Sequence, residues 1–253
     1  MSRPAPAWRA IRALTASELR LAARRTENLL VTLVIPAVVL VFFSSVAVLP
    51  AAVRSVDVLL PGTLALGVIA TSFVSLGIAT AYERHYGVLK RLGGAPLPRG
   101  AIVVAKVLAV LVIEAAQVVL LIAIAWVVLG WRPGPAASPA LGIGALVLGT
   151  AAFAGLGLAM AGRLRAEATL AVANGLFLAF LLVGGIVVPV ADLPGPLGAI
   201  AGLLPAAPLA ELFREALDGS AAGDGAGVPG ASLVLGAWAV GATLLASIAF
   251  RWE

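Results

Sequence analysis

The sequence predicts an all-α integral membrane protein with six transmembrane helices, and three observations carry that reading. Of 253 residues, 62% are hydrophobic and 11% charged, with a mean hydropathy of +1.10. Twelve acids and seventeen bases cannot cover so apolar a chain in water. Six apolar stretches reach the roughly 20 residues needed to cross a hydrocarbon core of about 30 Å. The bases fall in alternate connections between these stretches, as the orientation rule for membrane proteins requires. No period-two alternation supports a barrel, so helices must satisfy the backbone in lipid.

Residues 8–25 come first and differ in kind from the spans. At 100° per residue, Trp8, Ile11, Leu14, Leu21 and Ala22 gather on one face, and Arg9, Arg12, Arg20 and Arg24 on the other. This is the pattern of an interfacial helix lying on a leaflet. Glu18 falls on the apolar side, and the local pattern does not explain it. The spans follow at 29–49, 58–81, 101–129, 140–160, 169–190 and 231–249. A cleaved signal peptide is the rival reading of residues 1–52, but its apolar region would be about 7–15 residues, and 29–49 is longer.

The connection 191–230, between spans five and six, is the longest and is not uniform. Leu197 to Leu204 is apolar but too short to span, and is placed to dip into the membrane and return. Pro208 then opens a short helix in which Leu209, Leu212, Phe213, Ala216 and Leu217 oppose Glu211, Arg214, Glu215 and Asp218. It is expected to cap the outer surface. Asp218 to Gly230 is rich in Gly and Ala and reads as a tether.

Orientation follows from the bases. With both ends inside, fourteen of the seventeen lie in inner segments, and only Arg54, Arg132 and Arg214 lie outside. Both termini are therefore expected in the cytoplasm, which an even number of spans also requires. Trp126 and Trp131 fall at the outer boundary, and Trp8, Tyr82 and Trp252 at the inner one, as an aromatic belt would. The scattered bases lack the interleaved aromatics of a nucleic-acid surface, so no nucleic-acid partner is expected. The excess of Arg over Lys, with abundant Ala and Gly, suggests a GC-rich bacterial genome.

Several kinds of chemistry find no support. Cysteine is absent, so no thiolate nucleophile or Cys-based metal site exists. His85 is the single histidine, without an acidic cluster of ligand spacing around it, so no metal is expected. No Ser/His/Asp set or convincing carboxylate pair is evident, and direct catalysis by this chain is not expected. The sequence contains no G-x-x-x-x-G-K-[ST], so it has no phosphate-cradling loop of that kind.

Polar residues inside the spans stand out against this background. Glu114 lies near the middle of span three, where an acid costs about 2.5–3.5 kcal/mol on insertion scales. Lys106, Val110, Glu114 and Gln117 share one stripe that is expected to face other helices or a polar cavity, with Lys106 free to snorkel toward the inner headgroups. Glu114 either meets a cationic substrate or carries a proton, or else is a neutral acid bonded to a neighbouring helix. Asn174 in span five offers the same choice. Glu114, Gln117 and Asn174 are the residues that a translocation path would use. The pair Gly184-Gly185 and the series Gly142, Gly144 and Gly149 allow close helix contact, within one subunit or between two.

The most informative polar stretch is the inner loop Glu83-Arg84-His85-Tyr86-Gly87-Val88-Leu89-Lys90-Arg91-Leu92-Gly93-Gly94-Ala95-Pro96-Leu97-Pro98-Arg99. Val88, Leu89 and Leu92 make a short apolar ridge flanked by Lys90 and Arg91, and the glycine pair ends the helix. On charge alone this is an ordinary solvated loop. Its spacing, however, resembles the permease subunits of ABC-2 type ATP-binding-cassette transporters. In that family a Glu, a Gly four residues on, a Leu-x-x-Leu step, a Pro, a base and a later Lys recur, and Glu83, Gly87, Leu89, Leu92, Pro96, Arg99 and Lys106 occupy those places. The family's amphipathic elbow helix, its six spans and its proline-punctuated segment between spans five and six also have counterparts here.

The resemblance implies a specific machine. Glu83 to Leu92 would be a coupling helix seated in a cytoplasmic ABC ATPase subunit, expected in two copies, with Glu83, Arg84, Gly87, Val88, Leu89, Leu92, Pro96 and Arg99 at the joint. ATP and Mg would be bound by that partner and no cofactor by this chain. A second permease subunit, identical or homologous, would complete the path across the bacterial cell membrane. The cargo would be an amphipathic or hydrophobic drug, lipid or glycan, and the direction export. Two other readings remain at this level: a proton-coupled secondary transporter that cycles Glu114, and an integral membrane enzyme acting on lipid.

Overall fold

A computed structural model describes residues 7–24, 26–46, 55–93, 99–186, 195–218 and 227–249. No strand occurs among the described residues, which are almost entirely helical. The chain opens with α1 (Ala7–Arg24) and α2 (Thr26–Ser45). Then α3 (Ser55–Val68), a π-helical segment (Ile69–Ser75) and α4 (Leu76–His85) run as one 31-residue helix. A short α5 (Val88–Gly93) leads into α6 (Arg99–Val127), α7 (Pro139–Arg163) and α8 (Ala166–Val183). The chain continues as α9 (Pro196–Leu203), α10 (Ala206–Asp218) and α11 (Gly227–Ala249).

Five of these helices are long and apolar enough to cross a membrane: Ser55–His85, Gly100–Val127, Pro139–Arg163, Ala166–Val183 and Gly227–Ala249. The first expected span falls on α2, a 20-residue helix with Pro36 inside it. The pair α9 and α10 is bent by 79° and passes the length test only when taken together, as a broken span or a re-entrant loop would. Large apolar side chains such as Val119, Leu182, Leu233 and Ile248 point outward, an exterior suited to lipid.

Packing inside the bundle depends on close backbone approach. α7 lies against α11, α4 and the π segment. A Cβ on Gly155 would come within 2.7 Å of the Ala242 carbonyl carbon, and one on Gly157 within 2.8 Å of the Phe73 carbonyl oxygen. Small residues at such contacts let helices gain dispersion and weak backbone contacts where lipid supplies no hydrophobic drive. Phe73, Phe153 and Phe180 then fill the junction of the π segment, α7 and α8, with ring centroids 5.5 to 6.4 Å apart in edge-on geometry. Several helix hydroxyls are satisfied locally: Thr63 donates to the Leu59 carbonyl at 2.7 Å and Thr243 to that of Ala239 at 2.7 Å.

α10 corrects the surface-cap reading. Leu209, Leu212, Phe213 and also Arg214 are buried as the helix packs on α3, α7 and α11, while Glu211 and Glu215 are partly exposed and Asp218 is exposed. Arg214 is held by Glu211 at 3.1 Å and reaches the Gly185 carbonyl. The helix begins at Ala206, with Pro208 inside its first turn. Just before it, the indole of Trp238, halfway along α11, donates to the Leu203 carbonyl at 2.8 Å. The elbow between α9 and α10 therefore sits at mid-bundle depth, and α10 climbs back until its Ala216 carbonyl accepts from the Ser138 amide at the start of α7. The glycines resolve in the same way. Gly149 lies under Leu209 and Gly184 against Ala206, so both serve packing within the chain, while Gly144 faces open space.

Candidate functional site

The α4–α5 turn lies at the end of the bundle where α1 and the start of α6 also meet. α4 stops because Gly87 takes φ +69°, with its amide donating to the Arg84 carbonyl at 3.0 Å. Only glycine holds that backbone without strain, and it turns the chain sharply into α5. The family-like Gly four residues after Glu83 therefore has a local mechanical reason.

The two residues that open the loop motif anchor the end of α4 on opposite sides. Glu83 pairs with Lys106 of α6, whose ammonium lies 2.7 Å from Glu83 Oε2 and 2.9 Å from Glu18 Oε1 of α1. Lys106 is only 4% exposed, and both carboxylates are about a quarter exposed, at 27% and 24%. Thr15 adds a 3.4 Å bond from α1 to the Ala105 carbonyl. On the other side, the Arg84 guanidinium donates to the Leu164 carbonyl between α7 and α8. The α4 end is thereby tied to α1, α6 and the α7–α8 turn.

This geometry revises three readings. Lys106 does not snorkel; it is the buried hub of an ion triad. Glu18, unexplained by its own helix, is one arm of that hub. Leu89 is fully buried rather than part of an outward ridge, so the exposed face of the turn consists of His85, Tyr86, Val88, Lys90 and Arg91. Tyr86 is 65% exposed, stacks on Tyr82 and meets His85 edge-on. Leu92 is half-buried. Pro96 lies outside the described residues, as does the side chain of Arg99, whose backbone opens α6.

The mid-span polar residues form two separate contacts and do not include Asn174. Glu114, 0% exposed, meets Thr150 of α7, and the Ser72 hydroxyl of the π segment also lies beside its carboxyl. The Thr150 hydroxyl also lies 2.7 Å from the Leu146 carbonyl. One hydroxyl hydrogen cannot serve both acceptors, so Thr150 is satisfied toward both only when the carboxyl supplies a hydrogen of its own. Gln117, buried one turn on, donates to the Thr32 carbonyl of α2 at 3.0 Å and packs against Gly67 of α3. Asn174 is exposed and bonds to its own helix at Leu170, 2.8 Å away. No group of three or more His, Cys, Asp or Glu that could hold a metal occurs among the described residues.

The opposite end is closed by capping. Arg132 donates to the carbonyls of Trp131 at 3.0 Å and Trp126 at 3.3 Å, satisfying groups at the C-terminus of α6, and its guanidinium sits 5.4 Å from the Trp126 ring. Trp126 faces outward, while Trp131 is buried.

A model of the ABC-2 type transporter family matches residues 9–217, from α1 through the whole turn and triad to the end of α10. The chain belongs to the ABC-2 type transporter family. A search of curated proteins found no match. As an ABC-2 protein it is a multi-pass membrane transport domain of a kind that typically has no catalytic site of its own, and membership implies association with an ABC ATPase. Sequence reasoning missed Glu18 and Thr150 as partners of the ABC-2 motif lysine and of Glu114. The one available signal was Glu18 on the wrong face of its helix.

Proposed function

We propose that this chain is the membrane-spanning permease of an ABC-2 exporter, moving an amphipathic or hydrophobic substrate while separate ATPase subunits bind and hydrolyse ATP with Mg. The observation that carries the reading is the double anchoring of the α4 end beside a short exposed helix. An ATPase that moves α5 pulls Glu83 against α6 and α1 through Lys106, and Arg84 against the α7–α8 turn. α5 is the coupling helix in this account, with Tyr86 and Val88 as its outward contacts and Glu83 as a positioning residue behind them. α1 is the elbow helix on the inner leaflet, both termini face the cytoplasm, and two permease subunits with two ATPases enclose the path in the bacterial cell membrane. Arg132 and the buried Arg214 belong to the outer end, consistent with fourteen of seventeen bases lying inside.

The test is transport of fluorescent amphipathic dyes into inverted membrane vesicles containing this chain and the ABC ATPase encoded beside it. ATP-dependent uptake that survives a protonophore is expected. Uptake abolished by the protonophore and indifferent to ATP would reject the reading in favour of a proton-coupled carrier.

A further inference from the structure

α1 is tied to α6 at its middle, through Thr15 and Glu18, and none of its residues is buried. Between α1, from Trp8 to Leu19, and α6 lies an open groove of about 750 Å³. Its floor is the apolar face of α6 formed by Leu108, Leu111 and Val112, of which Leu108 and Val112 are exposed. Its rim carries Trp8, Arg9 and Arg12, and none of its lining residues is acidic. The two guanidiniums sit 5.3 Å and 5.5 Å from the Trp8 ring, which holds both charges at the mouth.

We infer that this groove binds one anionic phospholipid of the leaflet in which α1 lies, its acyl chain along Leu108 to Val112 and its phosphate on Arg9 and Arg12. Three features select that occupant. The floor is apolar and continuous with a span, so it is wetted by lipid rather than water. The rim is doubly cationic with fork-like donors suited to phosphate. An indole beside them is the side chain that favours headgroup depth. A zwitterionic lipid fills the trough but leaves the charge at the rim uncompensated. The inference goes beyond the transport reading and does not depend on it.

The full-length chain is reconstituted in phosphatidylcholine vesicles containing, at equal mole fraction, either phosphatidylglycerol or phosphatidylcholine brominated on the acyl chain. The Trp8 signal is the emission difference between the wild type and Trp8→Phe. Stronger quenching by the brominated anionic lipid is expected, and the Arg9→Gln/Arg12→Gln variant should lower that preference roughly fivefold per arginine. Arg20→Gln/Arg24→Gln, which removes charge from the same helix away from the groove, should leave it unchanged. Equal quenching by the two lipids would overturn the site, as would equal loss of preference in both variants, which indicates surface charge alone. Relief of quenching by inorganic phosphate in the buffer would also overturn it, because the rim would then be reading a soluble anion.

Discussion

Glu18 of α1 and Lys106 of α6 form a 2.9 Å salt bridge across 88 residues of sequence. Because the same ammonium also holds Glu83, the amphipathic first helix and the end of α4 share one buried cation. Lys106→Met leaves two partly buried carboxylates facing each other without a counter-ion. The expected loss is about 1–3 kcal/mol, below that for a fully buried pair because both acids keep some water. Thermal unfolding of the detergent-solubilised chain measures it. Glu18→Gln, which retains the Glu83 arm, should lose distinctly less, and an equal loss in the two variants would show that the Lys106–Glu83 arm adds no stability of its own.

Gly87 sits at positive φ with nothing within 4 Å of a built Cβ, so an alanine there meets strain rather than collision. Gly87→Ala is expected to destabilise the turn by about 1–2 kcal/mol. Hydrogen exchange of the α5 amides should rise while that of α7 stays constant. Gly100→Ala, also open but in a helix, provides the contrast and should be neutral or slightly stabilising.

At Gly157 the situation is reversed, because an added methyl would press on the Phe73 backbone at 2.8 Å. Gly157→Ala is expected to lower thermal stability by about 1–3 kcal/mol as α7 shifts from the π segment. Gly144→Ala, facing open space on the same helix, should have no such effect. Equal behaviour of the two would mean that the α7 seam is looser than described.

Glu114→Gln tests whether the buried acid is a structural donor. The amide supplies an N–H to Thr150, so both stability and ATP-driven transport should stay near wild type. Glu114→Ala removes the Thr150 contact and should cost about 0.6–2 kcal/mol of stability in detergent. Loss of transport in Glu114→Gln with stability intact would instead make Glu114 part of the path or a proton carrier.

How far the sequence could be read depended on the kind of force involved. Lipid requires long apolar helices, so the stretches now carried by α3–α4, α6, α7, α8 and α11 were visible in composition alone. The break at Gly87 was not legible: the sequence reading makes Glu83 to Leu92 one coupling helix, whereas α4 ends at His85, Gly87 turns the chain at positive φ, and α5 begins only at Val88. Amphipathic pattern in α10 identified an apolar face but could not say what covered the polar one, and Arg214 proved to be covered by Glu211 and a carbonyl. The same limit applies to Leu89, which looks like a surface residue from its charged neighbours. Long-range pairs such as Glu18 with Lys106, or Glu114 with Thr150, leave no periodic trace. The π segment leaves none either, since it arises where Phe73 meets Gly157 on another helix.

The central claim, that an ABC ATPase grips this chain at the α4–α5 turn, is tested most directly by site-specific cross-linking. The chain contains no cysteine, so each single introduced thiol reports one position. In membranes containing a partner ABC ATPase, Tyr86→Cys and Val88→Cys, labelled with a short thiol-reactive photo-cross-linker, should give adducts between the two proteins on illumination, and Trp126→Cys at the far end should give none. Adducts at Trp126 but not at Tyr86 or Val88 would contradict the account.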